Sequence, residues 1–114
     1  MGSDSGYMLD MLKAGHRILL KTERKTADDF FGDEDLQDIV IRQLTIMGEA
    51  SRKISDTTKD LYPDIPWQKA YGMRNRLVHD YRNVDQEEVW RTIRDDIKEI
   101  VRLIEPLVPP ENEV

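Results

Sequence analysis

From Asp33 to about Thr58 the chain carries apolar residues at helical spacing on two faces, which constrains the fold more than any other feature. Advancing about 100° per residue from Leu36 gathers Ile39, Val40, Ile46, Met47, Ala50 and Ile54 on one broad stripe. Ile41, Leu44 and Gly48 form a second apolar patch on one flank. A helix with two apolar faces packs on two sides, here inside a bundle and, on the flank, against another chain. Gly48 in mid-helix costs about 1 kcal/mol relative to alanine, so close helix–helix approach is expected there. This flank is the first argument for a homodimer.

The rest of the chain reads as shorter helices around that one. Asp4 or Ser5 can cap a first helix through Tyr7, Met8, Met11, Leu12, Ile18 and Leu19, which fades over residues 21–24. Thr26 caps a single turn ended by Gly32, with Phe30 and Phe31 as plugs for the top of the core. Pro63 and Pro66 stiffen the connector from Leu61 to Trp67, because each fixes its own φ and restricts its predecessor. Trp67 opens a helix that ends near His79. Asp85, with Glu88 three residues on, starts the last helix, which carries Val89, Ile93, Ile97, Ile100, Val101 and Ile104 and is closed by Pro106. Residues 109–114 read as a frayed tail. The expectation is one all-α domain over residues 1–114, an antiparallel bundle of four to five helices that dimerises through helices.

Composition narrows the function classes. The net charge of −6 argues against broad, sequence-independent coating of nucleic acid. It leaves room for a focused anion site, since Lys69, Arg74, Arg76, Arg82, Arg91 and Arg94 crowd one region. There are no cysteines, which removes disulfides, thiolate metal sites and Cys nucleophiles. Neither a carboxylate cage nor a histidine cluster is legible, so no metal and no other cofactor is expected. No membrane span and no signal pattern are found, and a cytoplasmic address follows as the default.

The stretch from Met73 to Tyr81 carries the chemistry. With Trp67 as reference, Ala70, Tyr71, Leu77, Val78 and Tyr81 cluster within about 80° of one direction, and Arg74 falls inside that apolar stripe. Asn75 and His79 share one flank, while Arg76 and Asp80 point away as an ordinary i,i+4 ion pair. Taken alone, Arg74 reads better as a buried salt bridge, to Glu49 or an acid of the last helix, than as an anion clamp. His79 alone reads as a helix-end histidine, and Tyr81 alone as core or interface. His16, without a ligand-spaced companion, reads as structural, and Trp67 and Trp90 as packing anchors. Together, however, Arg74, Asn75, His79 and Tyr81 point to a site. Histidine titrates near neutral pH and serves as general acid or base. Arginine supplies a permanent bidentate charge for a phosphate or phosphorane. The pair suits metal-independent RNA cleavage, in which the 2′-hydroxyl attacks the adjacent phosphorus. Five helical steps set positions 74 and 79 about 140° apart, so either the helix unwinds near His79 or a two-fold partner completes the cleft.

Arg74-(four residues)-His79, with Asn75 after the arginine and Tyr81 beyond the histidine, resembles the R-x4-6-H signature of HEPN domains, and of HepT-like toxins in particular. Ile46-Met47-Gly48-Glu49-Ala50, Pro63-Asp64-Ile65-Pro66-Trp67, Gly72-Met73-Arg74-Asn75 and Val89-Trp90 resemble further family segments in the same order. Arg82 departs from the pattern, standing where an aromatic is common. The resemblance implies an all-helical homodimer with a cleft at the interface, and a metal-independent endoribonuclease with Arg74, His79 and Asn75 as catalytic residues. It implies the toxin role of a prokaryotic type VII-like toxin–antitoxin system. The partner would be an MNT-type nucleotidyltransferase antitoxin that transfers AMP onto Tyr81. Arg76, Arg82 and Lys69 are candidate contacts to RNA or phosphate. The competing expectations are a non-catalytic nucleotide- or partner-binding subunit of a nucleotidyltransferase complex, and a plain dimeric scaffold.

Overall fold

The computed structural model describes the backbone of residues 3–77 and 84–108, and side chains over 4–73 and 84–108. Helix α1 (Ser3–Thr22) buries Met8, Met11, Leu12, Ala14, Ile18 and Thr22, a stripe at three- and four-residue spacing. Thr26 and Asp29 close a reciprocal capping box on α2 (Ala27–Phe31). Phe30 is fully buried there, but Phe31 is 40% exposed, so only one of the two phenylalanines plugs the core. The Asp33 carboxylate accepts from Leu36 N at 3.0 Å and starts α3 (Glu34–Lys53), as expected.

Helix α3 is shorter than its periodicity suggests. It stops at Lys53, Ile54 takes extended dihedrals, and Ser55 caps a new short helix, α4 (Asp56–Leu61). The apolar pattern survives the break because Ile54 is still buried, so hydrophobic spacing alone does not reveal it. Asp4 holds the break in place. It is not a cap for α1 but a first-turn residue whose carboxylate accepts from Ser55 N at 3.1 Å and from the hydroxyls of Ser55 and Thr58.

Both faces of α3 are used within one chain. Helix α1 covers one side and α5 (Trp67–Leu77) the other. The flank assigned above to another chain is therefore occupied internally: a Cβ on Gly48 would lie 3.2 Å from the Tyr71 carbonyl oxygen and 3.3 Å from that of Ala70. The close approach is real, but it is intramolecular, and this flank supplies no argument for a dimer. Ile39 and Ile46 are only half-buried.

The last helix is composite. Asp85 caps α6 (Gln86–Thr92) through Glu88 N at 3.1 Å. A π turn (Ile93–Ile97) follows, then α7 (Lys98–Ile104) and a 3₁₀ turn (Glu105–Leu107) that contains Pro106. No proline or glycine marks the π turn in the sequence. Gly15 lets α7 seat against α1, since a Cβ there would collide with the Val101 side chain. His16 Nε2 donates to the Glu105 carboxylate at 3.1 Å on the surface, the structural role expected of it. Among the described residues the elements are helical and none is long and apolar enough to cross a membrane.

The hydroxyls of Ser55 and Thr58, with Ser55 N–H behind them, hold the Asp4 carboxyl below the usual carboxylate range. A depressed folded pKa contributes stability above the unfolded value of about 3.9, lost as pH falls through the folded pKa. Asp4→Ala should therefore lower the thermal midpoint at neutral pH, with the gap to wild type closing below about pH 4. Circular-dichroism melts from pH 7 to 3 check this; a gap that stays constant would remove the clip.

Candidate active site

The candidate site residues begin at Arg74 on α5, and the local sequence explains how that helix is fixed. Pro66 enters it, and its carbonyl accepts from Ala70 N at 3.0 Å. The Tyr62 carbonyl accepts from Ile65 N at 3.2 Å and from Trp67 Nε1 at 3.0 Å, folding the connector onto the helix start. Ile65 and Trp67 are buried, which makes Trp67 the packing anchor expected. Across the bundle, fully buried Ser51 donates its hydroxyl to the Trp67 carbonyl at 2.9 Å. Gly48 meets the next turn, and Ala70 and Met73 are wholly buried. Every turn of α5 up to Met73 is thus pinned to α3 or to the connector.

Arg74, Asn75 and Arg76 continue the α5 backbone directly after Met73, and their side chains lie outside the described ones. His79, Asp80, Tyr81 and Arg82 lie outside the described residues altogether. The helical phase of α5 differs from the expectation in one respect. Met73 is buried, whereas Tyr71 is 42% exposed. The apolar stripe is rotated away from Tyr71, towards Ala70 and Met73. Glu49, named above as one partner for Arg74, is exposed beside Tyr7 and Asp10 and accepts from Arg52 at 3.1 Å.

Lys69 is the one candidate contact whose side chain is described. Its Nζ lies 3.3 Å from Asp96 Oδ1, across a cleft of about 240 Å³ between α5 and the composite last helix. Arg91, on the same cleft, is paired with Glu88 one turn earlier. Lys69 therefore stands on α5 with its charge partly neutralised. Trp90 is 9% exposed and packs on Phe30 with centroids 5.4 Å apart, again an anchor. No three His, Asp or Glu side chains gather to hold a metal ion among the described residues. Sequence reasoning missed Ser51 and gave Asp4 a local capping role, because the hydrogen bonds of both are long-range and leave no local periodicity.

The comparisons with known proteins agree with this architecture. The family described as "Ribonuclease HepT-like" matches residues 11–107, which spans α5 and the stretch from Met73 to Tyr81. The chain is 37% identical over 105 residues to "Probable ribonuclease HepT" of Thermococcus cleftensis, covering 92% of this chain and 96% of that one. It is 29% identical over 99 residues to "Putative RNase MJ1380" of Methanocaldococcus jannaschii, covering 87% and 91%. It also resembles half of a longer protein of that organism, "Gamma-glutamylcyclotransferase and putative RNase MJ0434", at 34% identity over 110 residues, 93% of this chain and 50% of the other. No solved structure gives a significant match. A family match over most of the chain, on a helical bundle that pins α5 turn by turn, establishes that this chain belongs to the HepT-like ribonuclease family.

Proposed function

We propose that the protein is a metal-independent endoribonuclease, acting as the toxin of a toxin–antitoxin pair in the cytoplasm. The observation that carries this reading is the family match across residues 11–107, with Arg74, Asn75, His79 and Tyr81 inside it. In the proposed reaction His79 takes the proton of a ribose 2′-hydroxyl as its oxygen attacks the adjacent phosphorus. The bond to the 5′-oxygen breaks, that oxygen takes a proton from solvent as it leaves, and protonated His79 returns its proton to solvent. The products are a 2′,3′-cyclic phosphate and a 5′-hydroxyl, so no water is consumed in this step. Arg74 neutralises the charge that builds on the phosphorane, and Asn75 orients the pair.

The cleft is proposed to form between two copies of the chain. Positions 74 and 79 diverge by about 140° on a straight helix, which a two-fold partner resolves. Gly72 supports an approach from outside: a Cβ there would meet nothing within 4 Å, yet a glycine in mid-helix costs about 1 kcal/mol. Among the described residues nothing packs against that position. Control is proposed to come from an MNT-type nucleotidyltransferase that transfers AMP from ATP to the Tyr81 hydroxyl, releasing pyrophosphate. A nucleotide anion at Tyr81 would compete with RNA for Arg74.

The test uses purified protein, end-labelled RNA and excess chelator. Fragments ending in 2′,3′-cyclic phosphate are expected, and co-expression with the neighbouring nucleotidyltransferase should add AMP to the Tyr81 peptide and silence cleavage. RNA bound but uncut at every chelator concentration would leave the non-catalytic binding subunit instead.

A further inference from the structure

A groove of about 650 Å³ runs between the C-terminal half of α1 and the composite last helix. Leu19, Leu20 and Trp90 form its floor, and Leu20 is 65% exposed. Lys25 lines the groove from the end of α1, and Arg94 and Lys98 line it from the other side, with Glu23 as the one carboxylate. Arg94 and Lys98, four residues apart, form no ion pair with any described residue. On a chain with net charge −6, two unpaired cations beside an exposed apolar strip call for an anionic ligand with an apolar body.

The groove also leads somewhere. Arg94 belongs both to it and to a neighbouring hollow that contains Arg91. Arg91 in turn lines the cleft that holds Lys69. Lys69 stands on α5, five residues before Arg74. The path from Lys98 and Arg94 to the helix of the candidate active site thus passes Arg91, paired with Glu88, and Lys69, paired with Asp96, and is also lined by Glu87 and Asp95. We propose that this groove binds single-stranded RNA beside the cleaved bond, phosphates on Arg94, Lys98 and Lys25 and bases against Leu19 and Leu20. The proposal rests on the ribonuclease reading above. A polyanion uses the three cations of the groove, Lys25, Arg94 and Lys98, and tolerates a flat apolar floor. An acidic protein helix would need discrete holes for its anchoring side chains, and the floor has an exposed leucine instead.

The experiment measures fluorescence anisotropy on full-length protein with 2′-O-methyl RNA, which lacks the attacking hydroxyl, at the roughly 4 and 16 nucleotides that bracket common single-strand sites. Wild type should gain affinity with length. In Arg94→Ala/Lys98→Ala that gain should shrink by about tenfold or more, and the salt dependence should become shallower by roughly 1.4 in log–log slope, about 0.7 for each lost phosphate contact. A gain that survives intact in a folded variant overturns the proposal. So does an acidic helical peptide that displaces the longer RNA better than RNA of equal charge. If the variant loses helicity, photocrosslinking on wild type decides: crosslinks must fall in residues 16–25 and 90–98. Cleavage of unmodified short RNA reports separately on the ribonuclease reading. A length gain that needs Arg94 and Lys98 without any cleavage keeps the groove and sinks the catalytic reading; cleavage without a length gain does the reverse.

Discussion

His79→Ala is expected to lower the rate of RNA cleavage by about 10²–10⁴-fold, the usual contribution of a positioned general acid or base. Arg74→Ala should cost about 10²–10³-fold, as expected for removal of one preorganised charge from a developing oxyanion. The two losses should differ in pH dependence. The general-base step of His79 should give cleavage a pH-dependent limb; in His79→Ala that limb disappears, while in Arg74→Ala it remains at a lower plateau. Because both residues act on one transition state, the double variant should fall little below the weaker single one. Arg76→Ala is the informative comparison, since Arg76 stands two residues from Arg74 on the same helix and is at most an RNA contact, so it should raise KM more than it lowers kcat. Circular-dichroism melts of each variant separate lost catalysis from lost fold. Full activity in both His79→Ala and Arg74→Ala would end the catalytic assignment.

How much of this was legible in the sequence depends on the range of the interaction. Local signals read correctly: the Thr26 box, the Asp33 and Asp85 caps and the Pro66–Trp67 start all lie within a few residues of what they organise. The all-helical bundle follows from apolar periodicity, which reports burial whichever neighbour supplies it. That indifference caused the main misreading. The Gly48 face was correctly seen as a close-packing surface, but the pattern could not say that α5 of the same chain would cover it. The break at Ile54 was hidden for a related reason, because a buried isoleucine fits the stripe in either backbone conformation. Phe31 and Tyr71 show the limit of residue type as a guide, since each is an aromatic beside a buried neighbour and each is exposed. The candidate site was named by the pattern from Arg74 to Tyr81, whereas what holds its helix, Ser51 on the Trp67 carbonyl, is a tertiary contact with no signature in spacing.

Gly48→Val should give the largest stability loss of any single change considered. Alanine alone would place its Cβ 3.2–3.3 Å from two carbonyl oxygens of α5. These are backbone atoms of a packed helix and cannot rotate aside. Helix propensity favours alanine by about 1 kcal/mol, which offsets much of that crowding, so Gly48→Ala should come out near neutral or mildly destabilised. Valine adds two methyl groups at the same point and loses helix propensity through its branched Cβ. Overpacking of about 3 kcal/mol is expected, or a melting point lower by roughly 10 °C at this chain length. The effect on function should exceed the effect on folding. Moving α5 away from α3 shifts position 74, and a misplacement of about 1 Å can cost about 10²-fold in rate. Ile18→Val supplies the control: Ile18 is fully buried on α1, which packs on α3 and α7, and the change should cost about 0.5–1.5 kcal/mol. Below both melting points, Gly48→Ala should then cleave RNA more slowly than Ile18→Val even though it is the more stable of the two. Equal rates would mean that the Gly48 contact supports the fold without setting the position of Arg74.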